Sequence, residues 1–351
     1  MDETKKFSSE ELPVYWKGSI QDVSGTVRTV KKGRVHTLRP SAGGRPIYMI
    51  EYGSSNLPPS HATLSSALGA RDYACYADKS GADYCPSVFL VGCVHGGEFE
   101  GTAAILNLIH LMEYGVDYAG KSNPKLCSLL NKVHLLLVPM SNPDGRSHIP
   151  FDNFVGRTLY DLRYYNQGTW KDGSLCGWPE CKRYFPIKEH VEYLGGYYND
   201  DGVNLMHDDF FGQPSSETQN ILEVCRKYAP DISVLFHGGT NCKTNVTVPA
   251  YVSGRAKRRT CELVRRAIQT YKSVGLEFHD NCERLLRYDG EQAEPPVSFN
   301  LISAMHHCCG EMCVTFESNQ GLVDHGDYIL NNEEIYLCHQ LFIQCILEML
   351  T

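Results

Sequence analysis

One short stretch of the sequence carries side chains that could bind a metal ion at the end of a buried strand. Residues 88–91 form an apolar run, which is typical of a parallel strand covered on both faces. His95 and Glu98 follow it, separated by two glycines that let the backbone turn sharply. A histidine and a glutamate in this arrangement predict that both side chains bind one zinc ion. The alternative interpretation is an ordinary polar loop at a strand end.

Two later strands are predicted to end at similar side chains. The apolar residues 231–236 lead to His237, and residues 311–316 lead to Glu317. A catalytic zinc takes three protein ligands and keeps one open position, and two histidines with a glutamate are an established set. We therefore predict one zinc ion held by His95, Glu98 and His237. Glu317 is then the predicted catalytic base of a hydrolase, although any one of these residues alone is more often an ordinary polar group.

These residues need a fold that brings several strand ends together. Strands are predicted at residues 46–52, 88–91, 132–138, 231–236 and 311–316, and helices at residues 102–112, 215–228, 256–274, 299–309 and 332–350. Their alternation predicts an α/β fold with a mixed, mostly parallel twisted sheet and helices on both faces.

Two segments fall outside this alternation. Residues 1–45 are predicted to be a polar extension with one strand at residues 26–30, which leaves residues 46–351 as the catalytic domain. Residues 142–202 are a long insertion, and loops of this length within compact domains are usually functional or disordered. The many aromatic residues of the insertion favour order.

Composition narrows the classes of partner and the compartment. The chain has 351 residues, 42% of them hydrophobic, and a formal net charge of −8. This charge argues against nucleic acid and anionic membranes, and leaves a peptide or small amide as the expected substrate. No apolar run is long enough for a transmembrane helix, and the amino-terminal residues do not resemble a signal peptide. We therefore predict a cytoplasmic protein, with its oligomeric state left open.

The 15 cysteines are scattered through the predicted strands and helices, so we expect them to be mostly reduced and buried. Cys176 and Cys181 lie in one loop and could form a disulfide. A run of two histidines and two cysteines at residues 306–309, with Cys313 beyond it, could hold a second metal ion. Its spacing matches no structural zinc motif, so we favour an ordinary helix end there.

Taken in order, five short motifs resemble those of the M14-type zinc carboxypeptidases. They are His95-Gly-Gly-Glu98, Asn142-Pro-Asp-Gly145, Gly202-Val-Asn-Leu205, Phe236-His237-Gly238 and Thr315-Phe-Glu317. The resemblance implies a mixed eight-stranded sheet with one zinc at the carboxyl ends of its strands. It also implies that His95, Glu98 and His237 are the zinc ligands and that Glu317 is the catalytic glutamate.

The same resemblance exposes a departure in substrate binding. The family usually has an Asn-Arg pair after the third motif, which binds the substrate's terminal carboxylate, and here Met206 and His207 stand there. We therefore expect altered recognition of the substrate C-terminus, unless a protonated His207 takes the arginine's role. The family's oxyanion-binding arginine should lie within residues 142–202, with Arg183 as the first candidate before Arg163 and Arg157. Tyr288 is the candidate for the family's mobile tyrosine.

Two other functions remain open at this point. The first is an N-acyl amino acid amidohydrolase like the aspartoacylase and desuccinylase group, which shares the His-x-x-Glu motif and a distant histidine. The second is a pseudopeptidase that keeps the fold and only binds its ligand. The missing Asn-Arg pair favours a pseudopeptidase, whereas the intact ligand set and Glu317 favour an enzyme.

Overall fold

A computed structural model describes residues 12–287 and 298–351, and a seven-stranded sheet lies at the centre of this part of the chain. The strands are β1 (Arg34–Thr37), β2 (Tyr48–Tyr52), β3 (Ser87–Val91), β4 (His134–Val138), β5 (Thr169–Trp170), β6 (Val191–Tyr193), β7 (Ile232–Gly238), β8 (Asn245–Thr247) and β9 (Met312–Ser318). The order in the sheet is β1-β2-β4-β3-β7-β9-β8, and β5 and β6 form a separate two-stranded sheet.

The four central strands are parallel and the outer pairings are antiparallel. β4, β3, β7 and β9 run in one direction, whereas β1–β2, β2–β4 and β9–β8 pair antiparallel. The predicted mixed sheet is confirmed, with seven strands in the described residues where eight were expected. Its parallel character belongs to the centre, where the carboxyl ends of four strands meet at one edge.

Helices cover both faces of the sheet. They are α1 (Ile20–Thr29), α2 (Leu64–Gly69), α3 (Phe99–Tyr114), α4 (Pro124–Leu130), α5 (Pro143–Ser147), α6 (Leu159–Leu162), α7 (Ser216–Tyr228), α8 (Gly254–Lys272), α9 (Cys282–Arg287), α10 (Leu301–Cys309) and α11 (Asn332–Leu350). The alternation of side chains along β3 separates the two layers. Val88 and Leu90 pack in the same core as α3, α8 and α11, and Phe89 and Val91 pack in the same core as α7 and α10.

The amino-terminal segment is part of this packing. The strand predicted at residues 26–30 is wrong, because these residues lie at the end of α1, which follows the N-cap residue Ser19. The side chains of Ser19 and Asp22 form a capping box. The Trp16 side chain is buried in the main core and its Nε1 donates a hydrogen bond to the Asp152 carbonyl at 2.7 Å. β1 adds an edge strand to the sheet, so residues 12–45 pack against the elements that follow them.

Residues 142–202 are ordered, as their aromatic content predicted. This segment contains α5, α6, the small β5–β6 sheet and a π-helical turn at Arg163–Gln167. It has aromatic clusters of its own, such as Tyr164 stacked on Tyr193 with ring centroids 4.9 Å apart. It passes over the carboxyl edge of the sheet, so its side chains can reach the strand ends.

Candidate functional site

The loop after β3 is folded tightly against a second motif. Gly96 donates a backbone hydrogen bond to the Gly196 carbonyl at 2.6 Å, and a Cβ at Gly96 would overlap the backbone of Gly145. Asn142 donates through Nδ2 to the Val94 carbonyl at 3.2 Å and caps α5. The Asn-Pro-Asp-Gly motif therefore supports the loop that carries His95 and Glu98. A side chain at position 96 would push this loop away from the motif.

The remaining predicted residues come from two neighbouring strands. His237 lies near the end of β7 and is paired with Glu317 of β9 in the parallel register. Residues that pair in this way project on the same side of a sheet. The prediction placed both residues just beyond their strands, whereas the structure places both within them, which fixes their backbones by ladder hydrogen bonds.

Three of these side chains form one buried cluster. Glu98 Oε1 lies 2.8 Å from His95 Nδ1, and Glu98 Oε2 lies 2.8 Å from His237 Nδ1. All three residues are buried, and their potential ligand atoms lie within 4.8 Å of one another. Although Oε2 is this close to His237 Nδ1, the angles of the contact are not those of a hydrogen bond, and Oε2 has no other hydrogen-bond partner among the described residues. A buried carboxylate oxygen without a hydrogen bond is costly unless it binds a cation, so the cluster fits a metal ion.

Asn204 fixes the orientation of the first histidine. His95 Nε2 lies 3.1 Å from Asn204 Oδ1, and His95 Nδ1 lies 2.8 Å from Glu98 Oε1. With Nε2 donating to Asn204, Nδ1 would be the nitrogen that binds a metal ion. Tyr197 covers one face of the ring, with its own ring 4.0 Å from the His95 ring at an interplanar angle of 21°. The imidazole is thus held in one plane by contacts on both nitrogens and on one face.

The carboxylates in this cluster have different electrostatic environments. Burial acts to raise the pKa of Glu98, but His237 and His95 outweigh it and hold that pKa well below its ordinary value. Burial raises the pKa of Glu317 to about 7, with His237 opposing the shift and Glu98 adding to it. Glu98 has the environment of an anionic ligand and Glu317 that of a group able to exchange a proton near neutral pH.

A cavity of about 600 Å³ opens onto the cluster. Its inner wall includes the buried side chains of Asn204, Met206 and Thr315 and the partly buried ring of Tyr197. This volume is typical of sites for small ligands. The cluster therefore lies at the bottom of a cavity that admits a substrate.

Comparison with known proteins agrees with this arrangement. A family model described as "Zinc carboxypeptidase" (peptidase M14) matches residues 28–284, which is most of the chain. The chain belongs to the zinc carboxypeptidase family. It is accordingly a metallopeptidase, a hydrolase of peptide bonds. Glu317 lies beyond the matched residues, so its assignment depends on the sheet geometry and on the sequence motif.

Solved structures share the fold of this zinc carboxypeptidase family member at low identity. A metallo-carboxypeptidase from Burkholderia cenocepacia is 16% identical, with a TM-score of 0.58 over 95% of this chain and 69% of that one. A metallo-carboxypeptidase from Pseudomonas aeruginosa, in complex with (2-guanidinoethylmercapto)succinic acid, is 14% identical, with a TM-score of 0.56. The match covers 95% of this chain and 70% of that one. Carboxypeptidase A from Helicoverpa armigera is 14% identical, with a TM-score of 0.52, and the match covers 97% of this chain and 74% of that one. A search of curated proteins found no match.

The residues predicted to bind substrate are not all near the cavity of this family member. His207 lines it, with Nδ1 3.2 Å from Ser298 Oγ. Burial is the main cause that lowers the pKa of His207 to about 3, with Lys182, His95 and His237 adding to it. The Arg183 side chain is exposed and lies outside the set of described residues that line the cavity. Tyr288 lies outside the described residues.

Two other basic residues lie at the cavity. Arg163 and Lys182 line the cavity and are exposed, so they lie at its mouth. The Arg157 guanidinium packs 3.6 Å from the centroid of the Phe151 ring, and its Nε donates to the Asn153 carbonyl. Among the described residues that line the cavity, the inner wall has no lysine or arginine.

Sequence reasoning missed Tyr197, Asn204 and Lys182. Asn204 lies within the Gly-Val-Asn-Leu motif, so its signal was present, but its contact with His95 spans 109 positions and only the folded chain shows it. Tyr197 is one of many tyrosines in residues 142–202 and carried no distinguishing signal. Lys182 is adjacent to the predicted Arg183, and the register of a short helical turn, Glu180–Lys182, decides which of the two lines the cavity.

The cysteine predictions can also be compared with the structure. All 15 cysteines are free, so the disulfide considered between Cys176 and Cys181 is absent. Cys309 and Cys313 approach to 4.0 Å, and His306 Nδ1 lies 2.7 Å from the Glu311 carbonyl. Within residues 12–287 and 298–351, the group that could hold a metal ion is His95, Glu98 and His237.

Proposed function

We propose that the chain is a zinc-dependent hydrolase of a peptide or small amide, with one zinc per chain held by His95, Glu98 and His237. The observation that carries this proposal is the buried cluster at the carboxyl edge of the sheet, where two imidazole Nδ1 atoms face one carboxylate at 2.8 Å. Zinc bound there would lower the pKa of a water ligand and polarise the scissile carbonyl.

Glu317 supplies the proton transfers in this proposal. As the oxygen of water adds to the carbonyl carbon, a proton of the water passes to a Glu317 carboxylate oxygen. The tetrahedral species then collapses, the C–N bond breaks, and the proton passes from Glu317 to the leaving amine. The second proton of the water leaves the new carboxyl group and is taken up by the amine, so the products are a carboxylate and an ammonium group. The pairing with His237 on the adjacent strand places Glu317 beside the ligand cluster.

Recognition of the substrate C-terminus is altered in this proposal. The buried Met206 side chain cannot donate a hydrogen bond, and burial keeps His207 neutral at physiological pH. The permanent cations of the cavity, Arg163 and Lys182, lie at the mouth. A free carboxylate deep in the cavity would therefore lose the charge-assisted hydrogen bonds that an arginine fork makes.

The proposed compartment and substrate are supported by the cysteines and by the net charge of the chain. We place the enzyme in the cytoplasm, supported by 15 cysteines that are all free thiols, since oxidising compartments favour disulfides. No helix in the described part of the chain is both long and apolar enough to cross a membrane. The proposed substrate is a peptide or small amide, consistent with the net charge of −8, which disfavours nucleic acid.

The test combines metal analysis with turnover. Zinc-loaded wild type should hydrolyse members of a peptide panel faster than N-acyl amino acids, and Glu317→Gln should lose about 10²–10⁴-fold in kcat while keeping its zinc and its Tm. Glu311→Gln, a carboxylate at the opposite end of β9, is the matched control and should keep its kcat. A Glu317→Gln variant within a few-fold of wild type would remove Glu317 from the mechanism. If the protein hydrolyses N-acyl amino acids and no peptide, the result favours an amidohydrolase. If it hydrolyses neither class, the result favours a pseudopeptidase.

A further inference from the structure

A second cavity, of about 640 Å³, lies at the end of the sheet away from the proposed zinc cluster. It is lined by Glu311, which precedes β9, whereas Glu317 lies near the carboxyl end of the same strand. At the usual rise along a strand, the two glutamates are roughly 20 Å apart. We call this space the remote cavity, and its lining includes Leu68, Tyr251, Arg255, His306 and Glu311.

The start of α8 gives the remote cavity a positively charged wall. Ser253 caps this 19-residue helix by accepting a hydrogen bond from the Ala256 N–H, and the first turn contains no acidic residue. Arg255 lines the cavity and is exposed, and a Cβ at Gly254 would lie 3.3 Å from Arg258 Nη1. Two cations thus lie at the positive end of the helix dipole, where they are unfavourable. A bound anion would offset this repulsion and could accept from the first N–H groups of the helix.

His306 presents a hydrogen-bond acceptor to the same cavity. The residue is only 5% exposed, and its Nδ1 lies 2.7 Å from the Glu311 carbonyl oxygen. Since a carbonyl can only accept, Nδ1 carries the proton, and Nε2 of the neutral ring keeps its lone pair. The ring lines the remote cavity, and Nε2 has no hydrogen-bond partner among the described residues. A buried acceptor of this kind indicates a ligand that donates a hydrogen bond.

The carboxylate in the lining does not cancel the positive wall. Glu311 Oε1 lies 2.9 Å from Lys79 Nζ and 3.3 Å from the Tyr73 hydroxyl. Its Oε2 lies 3.4 Å from Arg259 Nη1. Because Lys79 and Arg259 already balance this carboxylate, Arg255 and the helix dipole remain available to an anionic group.

The remote cavity also has an apolar part. Leu68 of α2 and Tyr251 both line it, although Leu68 is 57% and Tyr251 is 42% exposed. A ligand with an apolar side chain would cover these side chains and remove them from water. The cavity therefore combines an anion-binding wall, a hydrogen-bond acceptor and an apolar surface.

We propose that the remote cavity binds an α-amino carboxylate with an apolar side chain. The carboxylate binds at the start of α8 beside Arg255, the α-nitrogen donates to His306 Nε2, and the side chain packs on Leu68 and Tyr251. A free amino acid and the carboxyl end of a peptide chain share this chemistry. The site is separate from the zinc cluster, so it goes beyond the proposed hydrolase function and does not depend on it.

The first experiment compares ligands by calorimetric titration of the full, zinc-loaded chain. The probes are L-leucine, N-acetyl-L-leucine, L-leucinamide and 4-methylpentanoate. The amide lacks the carboxylate and 4-methylpentanoate lacks the α-nitrogen, so each should bind at least about fivefold more weakly than the better of the first two probes. This series tests the His306 contact from the ligand side, without changing a buried residue.

The first two probes distinguish the two sources of the ligand. N-acetyl-L-leucine that binds as tightly as L-leucine, or more tightly, identifies the end of a peptide chain. L-Leucine that binds more tightly than its N-acetyl derivative identifies a free amino acid. No binding of either probe, or equal binding of L-leucinamide, would overturn the proposal.

The second experiment locates the bound ligand with variants of exposed side chains. Arg255→Gln and Leu68→Asp should each weaken binding of the better probe at least about fivefold, with Tm close to that of wild type. Arg265→Gln is the matched control, because Arg265 is an exposed residue of α8 outside the cavity lining. Wild-type affinity in both cavity variants would place the ligand elsewhere and overturn the proposal. If wild type hydrolyses no peptide, the proposed function fails, yet these titrations still decide whether the remote cavity is a binding site.

Discussion

At the scale of single residues, the environment of each group determines what it can do. His95 Nε2 lies 3.1 Å from Asn204 Oδ1, and His95 Nδ1 lies 2.8 Å from Glu98 Oε1. His207 lines the same cavity, but burial lowers its pKa to about 3 and keeps it neutral. Two histidines of one cavity thus have different environments, which suit the proposed metal ligand and an uncharged hydrogen-bonding group.

The ligand assignment predicts the metal content of a single variant. Wild type should contain stoichiometric zinc, and His95→Ala should lose most of it after dialysis, because one of three protein ligands is gone. Elemental analysis of the dialysed proteins measures this, with His61→Ala, an exposed histidine, as the control that keeps its zinc. Full zinc occupancy in His95→Ala would show that the metal is bound elsewhere.

The neutral state of His207 predicts how substrate choice depends on pH. With a pKa of about 3, less than roughly 1% of His207 is protonated at pH 5.5, and a bound cation would lower this fraction further. Rates for a peptide with a free carboxylate and for its C-terminal amide should therefore keep a constant ratio from pH 5.5 to 8, without a strong preference for the acid.

Two results would contradict this prediction. A preference for the acid that emerges only towards pH 5.5 would show that His207 becomes charged and binds the carboxylate. A large preference that is constant over the whole range would indicate a permanent cation at the base of the cavity. His207→Gln is the control variant, since it keeps a hydrogen-bonding group and cannot titrate.

At the scale of elements, the site depends on close contact between three chain segments. The loop after β3, the start of α5 and the segment around Gly196 approach so closely that a Cβ at Gly96 has no room. Asn142 ties two of these segments together through Val94. The Asn-Pro-Asp-Gly motif therefore acts on the proposed metal ligands indirectly, by holding the loop that carries His95 and Glu98.

This contact predicts opposite effects for two glycine substitutions. Gly96→Ala should lower the free energy of unfolding by about 1–3 kcal/mol, because the new methyl group overlaps the Gly145 backbone, and should weaken zinc binding. Gly25 lies at an exposed position within α1, and a new Cβ there would meet no other atom. Gly25→Ala should therefore raise the free energy of unfolding by about 0.5–1 kcal/mol. Urea unfolding measures both, and a Gly96→Ala protein as stable as wild type would refute the close contact.

At the scale of the whole molecule, the sheet separates stability from chemistry. The central strands bury apolar side chains on both faces, and the cluster of proposed ligands lies at their carboxyl edge. His339 is one of the titratable groups that are buried away from this cluster. His339 of α11 packs between the rings of Phe236 and Phe316, with centroids 5.3 and 5.0 Å away, and its Nδ1 donates to the Ile335 carbonyl at 2.9 Å.

This buried histidine predicts acid sensitivity of the fold. Burial lowers the pKa of His339 to about 4, against about 6.5 unfolded, so between these values the unfolded chain binds more protons. Its stabilisation is complete above pH 6.5, and acidification to pH 4 should remove about 3 kcal/mol. Urea unfolding at several pH values measures the slope, which should be shallower in His339→Phe and unchanged in the exposed control His61→Gln. An equal slope in His339→Phe would mean that His339 does not titrate.

Sequence and tertiary structure each determined a separate part of this site. Strand identity and the candidate metal-binding and base residues could be proposed from the sequence, because apolar runs that end in His or Glu are local patterns and their order matches a family. The contacts of His95 with Asn204 and Tyr197, the exposure of Arg183 and the neutrality of His207 could not, because each depends on which distant segments cover a side chain. Burial and orientation are properties of the packed chain, and they decided how the predicted residues are held and what surrounds them.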